Sequence, residues 1–196
     1  MGIPSPLARV KRAVLPSVWL LTAVLLTAGC LGGPSYRDAR VPLETAAQVN
    51  VDRYLGTWYE IARLPNRFEK NCEGVTAQYD RRPDGLLLVV NTCRKGGIDG
   101  PADSAVGRAK IVDTQTNAKL KVSFFGPFWG DYWILDVDPD YQIALVGEPS
   151  GKFLWILART PTLAPREREL ALRKLMGFGY DTSALYFTRQ PPGGTR

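Results

Sequence analysis

Between residues 57 and 160 the chain falls into eight short β-forming runs, and this spacing limits the available folds more than any other feature. In order they are "TWYEIARL", "VTAQYD", "LLLVVNT", "DSAVGRAKIVD", "AKLKVSFF", "DYWILDVD", "QIALVGE" and "LWILART". Each is rich in β-branched, aromatic or alternating apolar residues and ends at Gly, Pro, Asp or Asn, which favour turns. A parallel pair needs a crossover of a dozen or more residues, whereas these connections are short. Successive strands are therefore expected to pair antiparallel, up and down. Eight such strands can close on themselves, which removes exposed edges and leaves an interior that is either filled or able to hold one small ligand.

One helix follows the strands. "TLAPRERELALRKLMGFG" places Thr162 and Pro165 near a first turn, acidic Glu167 and Glu169 early, and Arg173 and Lys174 late, in agreement with the helix dipole. Leu172, Leu175 and Met176 share one face at helical spacing, and Gly177 or Gly179 can end the helix. That stripe is expected to pack on the outer wall of the barrel. "ALYFTR", residues 184–189, reads as a ninth strand able to pair beside the first.

The ends carry a different message. Arg9, Lys11 and Arg12 precede the apolar run "AVLPSVWLLTAVLLTAG", the pattern of an export signal over residues 1–29. It stops at "LTAGC", which resembles the lipobox of bacterial lipoproteins, with Cys30 as the residue that receives lipid. That resemblance implies acyl chains on Cys30, and Leu31 in place of Asp implies sorting to the outer membrane. Several acyl chains anchor durably, because each buried CH₂ contributes roughly 0.8 kcal/mol. Residues 30–46, with Gly, Pro and charge, read as a lipidated tether, residues 47–190 as the barrel domain, and residues 191–196 as a tail.

The whole chain has 25 basic and 19 acidic residues. Without the three basic residues of the signal the balance is 22 to 19, or +3, with no basic run or stripe. That gives no electrostatic footprint for nucleic acid. Cys72 and Cys93 remain. The runs between them form a hairpin about Pro83 and Asp84, which brings the two cysteines opposite each other within a residue or two. In an oxidising exported compartment they are expected to form a disulfide worth on the order of 3 kcal/mol.

"VDRYLGTWYEIARLPNRFE", "VTAQYDRRPDG", "KVSFFGPFWGDYWIL" and "LWILARTP" resemble lipocalins of the bacterial outer-membrane lipoprotein and apolipoprotein D type, over roughly residues 48–190. Gly56 and Trp58 match the family's first-strand motif, Asp131 and Tyr132 the short motif before the sixth strand, and Arg159 the arginine that ends the eighth. The resemblance implies that Arg159 lies across the Trp58 ring at the closed end, where a guanidinium over an indole gains cation–π attraction. It also implies a pocket lined by Tyr79, Asn91, Phe124, Tyr132 and Trp155. Strand parity with Trp58 adds Glu60 and Ala62 to the inner face. Such a wall suits an elongated apolar ligand, a fatty acid or lysophospholipid, with an amide and an indole N–H to orient its polar part. In "FFGPFWGDYW", Phe125, Phe128 and Trp129 sit on a turn and could line an open mouth, touch membrane, form a homodimer contact or simply pack.

The chain contains no histidine. This excludes His-based triads, His-ligated haem and most zinc sites. With the cysteines assigned to lipid and disulfide, and no two carboxylates expected to converge on the pocket, no enzyme, metal or cofactor is expected. The reading is an anchored carrier of apolar ligands; its alternative is a structural envelope lipoprotein acting through protein contacts.

Overall fold

The computed structural model describes residues 34–193, with Gly2. The expected signal and Cys30 lie outside the described residues. A four-residue helix α1 (Val51–Tyr54) is capped by the Asn50 side chain, which accepts from the Arg53 N–H. Eight strands follow: β1 (Gly56–Arg63), β2 (Cys72–Arg81), β3 (Leu87–Lys95), β4 (Ala102–Ile111), β5 (Lys119–Ser123), β6 (Gly130–Val137), β7 (Ile143–Gly147) and β8 (Leu154–Ala158). Each pairs antiparallel with its sequence neighbour, and β8 and β2 both pair with β1, closing the barrel. Helix α2 (Pro165–Gly177) and a short strand β9 (Tyr186–Phe187) complete the fold.

The closure between β1 and β2 is made in two halves. Gly56 to Tyr59 pair directly with Thr76 to Tyr79. Beyond that point bulges between Glu60 and Ala62 and between Glu73 and Thr76 change the course of both strands. The C-terminal segment fills the gap. β9 pairs with Ala62 and Arg63, Thr188 N–H donates to Ile61 O (3.0 Å), and Gly74 N–H donates to Arg189 O (2.8 Å). The Gln190 amide donates to Glu60 O and Val75 O at 2.8 and 2.9 Å.

One end of the barrel is covered by α1 and by the chain leading into it. Val49 N–H donates to Thr116 O (2.7 Å) in the β4–β5 turn, and the Tyr141 hydroxyl, in the β6–β7 turn, accepts from Asn50 N–H (2.7 Å). Those turns mark the closed end. The β1–β2, β3–β4, β5–β6 and β7–β8 connections therefore form the opposite, open rim.

α2 packs outside. Pro165 occupies its first turn, and the Glu167 carboxylate accepts from Ala164 N–H at 2.8 Å. Ala171 and Leu175 are buried against Ile61, Ala62, Leu154, Ile156 and Ala158 on the outer wall, with Leu172 partly buried. Met176, expected on the same stripe, is 53% exposed and faces solvent. Residues 35–46, expected to be a tether, lie along the wall: Tyr36 N–H donates to Gly151 O, Asp38 N–H to Gly179 O and Ala46 N–H to Ile134 O, at 2.8, 2.9 and 3.0 Å. Arg37 adds a bond to Phe178 O (2.9 Å). Composition suggested looseness here; backbone pairing overrides it.

Cys72 and Cys93 are bridged, with Cα atoms 5.4 Å apart, and tie the β2–β3 ribbon near the open rim.

Candidate ligand-binding site

At the closed end Trp58 is fully buried and its indole N–H donates to Tyr54 O at 2.8 Å. Arg159 lies with its guanidinium carbon 3.8 Å from the Trp58 ring centroid. It donates to Thr57 O, Arg53 O and Leu55 O at 2.7, 2.7 and 2.8 Å. One cation thus covers the indole face and satisfies two carbonyls at the end of α1 and one at the start of β1. Gly56, just before, has φ +88°, a conformation that favours glycine, and a Cβ there would touch Arg159 Nη1 at 3.5 Å.

A layer of three tyrosines rests on this plug. The Tyr132 hydroxyl lies 2.9 Å from that of Tyr54 and 2.8 Å from that of Tyr79. All three are buried, and burial raises their pKa values, Tyr79 to about 12. They stay protonated. Tyr79 and Tyr132, expected as pocket wall, are therefore the floor of the chamber: their polar ends are committed to each other.

Above the floor the inner-facing side chains become accessible. Ala105 pairs with Asn91, which pairs with Ala77, so the three side chains share the inner face. Ala105 is exposed, whereas Ala109, two pleat repeats lower, is fully buried. The Asn91 side-chain oxygen is buried without a hydrogen-bond partner. Phe124 lies across β4: a Cβ at Gly107 would stand 2.7 Å from its ring and 2.8 Å from Ser123 O. Only glycine admits the ring there. On the opposite wall Trp155 is partly buried, stacked on Phe153 with centroids 6.0 Å apart, and Phe153 stacks on Phe68 at 5.7 Å.

The polar feature of this chamber is a buried ionic cluster. Parity correctly places Glu60 inside, but the bulge that follows turns Ala62 outward against α2 and brings Arg63 inward opposite Trp155. The expectation for Ala62 is thus corrected. Arg63 donates to Glu60 at 2.5 Å, to Thr188 Oγ1 at 2.8 Å and to Glu69 O at 2.9 Å, and lies 3.7 Å from the Glu69 carboxylate. Thr188 also contacts Glu60, and the Trp155 indole N–H donates to Glu69 at 3.3 Å. Two carboxylates therefore converge on one cation, where none were expected to meet. Burial, then the Glu69 charge, raise the Glu60 pKa to about 8 against the opposing pull of Arg63. Around neutral pH Glu60 holds a proton and the Arg63 charge is matched by Glu69. The 2.5 Å contact to Arg63 does not contradict this, since a carboxylic acid still offers a carbonyl oxygen to the guanidinium.

Asp131 stands on β6 at the surface, paired with Lys121 at 2.9 Å. Phe125 and Phe128 are 74% and 77% exposed on the open rim, and Trp129 is covered by Arg108 and Lys110. Two open grooves of about 470 and 520 Å³ lie outside the barrel, between residues 35–44 and α2. None of the expected site residues lines them, and they are seams between packed segments. Among the described residues no three His, Cys, Asp or Glu side chains gather to hold a metal.

Comparison with known proteins agrees with this geometry. Residues 49–190 match the model of the lipocalin-like domain. The chain is 40% identical to the outer membrane lipoprotein Blc of Escherichia coli over 180 residues, covering 91% of this chain and 98% of that relative. Mouse apolipoprotein D is 34% identical over 151 residues, with 72% and 77% covered. Insecticyanin from the tobacco hornworm superposes with a TM-score of 0.63 at 20% identity, covering 83% of this chain and 90% of that one, a likeness of fold alone. Barrel closure, the Trp58–Arg159 plug, a family match over most of the chain and curated relatives of this similarity lead to one statement: the chain belongs to the lipocalin-like family.

Proposed function

We propose that this chain is a non-enzymatic carrier of small, elongated apolar ligands, fatty acids or lysophospholipids, held at the outer membrane by acyl groups on Cys30. The family supports binding of a small hydrophobic molecule, and the name of the Escherichia coli relative supports the location and the anchor. The observation that carries the reading is the upper inner face: an unpartnered amide oxygen on inward-facing Asn91, in the barrel wall that also carries Phe124 and Trp155, above a sealed floor. A buried polar atom without a partner is uncommon and is satisfied when a ligand supplies one. The acyl tail lies along the aromatic wall, and its polar part is read by Asn91 and the Trp155–Glu69 pair. Release is by simple equilibrium.

Titration of the purified chain with a fluorescent fatty acid, and with lysophospholipid by native mass spectrometry, tests this. Binding with Kd of roughly micromolar order, near −8 kcal/mol, is expected. Trp155→Glu should weaken it at least tenfold. Failure of the unaltered chain to bind either lipid would leave the alternative, a structural envelope lipoprotein.

A further inference from the structure

The N-terminal segment enters the fold at the open rim, where the most exposed aromatic rings among the described residues also stand. Ser35 donates from its hydroxyl to Ser150 O at 2.9 Å, and Tyr36 N–H to Gly151 O at 2.8 Å, both in the β7–β8 turn of the rim. Only five Cα steps separate Cys30 from Ser35, a reach of at most about 17 Å. β1 alone, with eight residues, runs roughly 23 Å along the strand from the closed end to the rim. An acyl chain on Cys30 thus brings the rim to the lipid surface and leaves the closed end out of its reach.

The chemistry of the rim fits such a surface. Phe68 in the β1–β2 loop is 57% exposed, and Phe125 and Phe128 in the β5–β6 turn are 74% and 77% exposed. Arg67 and Lys70 are exposed on the first of these loops, and Lys152 is partly exposed on the β7–β8 turn. The acid of that turn, Glu148, is directed inward and accepts from the backbone N–H groups of Ser150, Lys152 and Phe153 at 2.7, 2.7 and 3.1 Å. Apolar rings flanked by outward cations are the pattern of interfacial binding to anionic lipid.

We propose that the open rim docks mouth-down on an anionic bilayer, with Phe125 and Phe128 at the acyl boundary and Arg67, Lys70 and Lys152 among the headgroups. The chamber then opens toward lipid rather than toward water. The proposal rests on the exposed rings and cations of the rim, with acylation of Cys30 supplying the tether, and on no assumption about cargo.

The test uses the full chain produced in a bacterial host, with the acyl state of Cys30 read by mass spectrometry, reconstituted in phosphatidylethanolamine–phosphatidylglycerol vesicles. A bimane probe is placed at Phe128→Cys on the rim or at Gln115→Cys in the closed-end β4–β5 turn, on a Cys30→Ser background if that thiol is found free. Bromine-labelled lipid should quench the rim probe at least threefold more than the closed-end probe. Phe125→Ser should reduce the rim quenching at least twofold with melting and fatty-acid titration unchanged. Equal or reversed quenching overturns the docking, as does a rim probe shielded without lipid in a sedimenting dimer, which would assign the surface to a second copy. Loss of acylation alone removes the anchor but leaves the quenching contrast on anionic vesicles to decide the rim. Loss of ligand binding with the contrast intact would refute only the carrier reading.

Discussion

The Arg159 guanidinium lies 3.8 Å from the centre of the Trp58 ring while donating to three carbonyls of residues 53, 55 and 57. Strand β8 thereby fastens the chain that crosses the barrel's closed end, and neither residue does this alone.

Trp58→Ala should cost about 3–5 kcal/mol, because a fully buried indole leaves a cavity that the barrel cannot collapse. Arg159→Met keeps much of the cover but orphans the carbonyls, at roughly 2–3 kcal/mol. The two changes should be non-additive by about 1 kcal/mol in denaturant unfolding, as contact pairs are. Strict additivity would show that the stacking carries no energy.

Tyr132 is the middle member of the hydroxyl chain, so Tyr132→Phe removes both hydrogen bonds while Tyr54→Phe or Tyr79→Phe removes one. The middle change should cost about 1–3 kcal/mol, and more than either outer one. Three equal losses of melting temperature would deny the chain its linear order.

Glu60 sets a pH dependence whose sign follows from its raised pKa of about 8. Between its unfolded value near 4.3 and that folded value the native state binds the extra proton, so stability is fully present at low pH and declines as pH rises. The loss is at most about 1.4 kcal/mol per pH unit across that window. Glu60→Gln should flatten the melting temperature from pH 5 to 8 relative to the unaltered chain. An unchanged slope in that variant would place the titration elsewhere.

Gly107→Ala is predicted to act on the chamber through Phe124, whose ring and neighbouring carbonyl occupy the space of the new methyl. The ring must swing, so fatty-acid affinity should change at least fivefold, and stability should fall by about 1–3 kcal/mol, the usual cost of overpacking. A variant with both properties unaltered would show the ring free to move.

Much of this was legible because it is periodic or paired. Eight runs at short spacing, the Pro83–Asp84 hairpin with its disulfide, and the tryptophan and arginine of the plug all follow from local pattern or resemblance. The residues that were missed depend on breaks in period. In "YEIAR" two consecutive apolar residues, Ile61 and Ala62, interrupt the alternation because α2 needs both on the outside. That doubled apolar pair was the available signal for a bulge, and it would have turned Arg63 inward. Glu69 comes from a loop and Thr188 from the far end of the chain, where no strand parity applies. α1 is too short for a helical period. The segment from Ser35 to Ala46 is held by main-chain bonds that composition does not report.

That wall-hugging segment also stores length. Twelve residues, from Ser35 to Ala46, would span about 40 Å if drawn out straight. A pull directed toward residue 34 meets its attachments one after another, Gly151 first, then Gly179, so they yield like a zip rather than a rivet. While those bonds hold, a load at residue 34 is borne by the rim turn alone, and the closed end stays beyond the anchor.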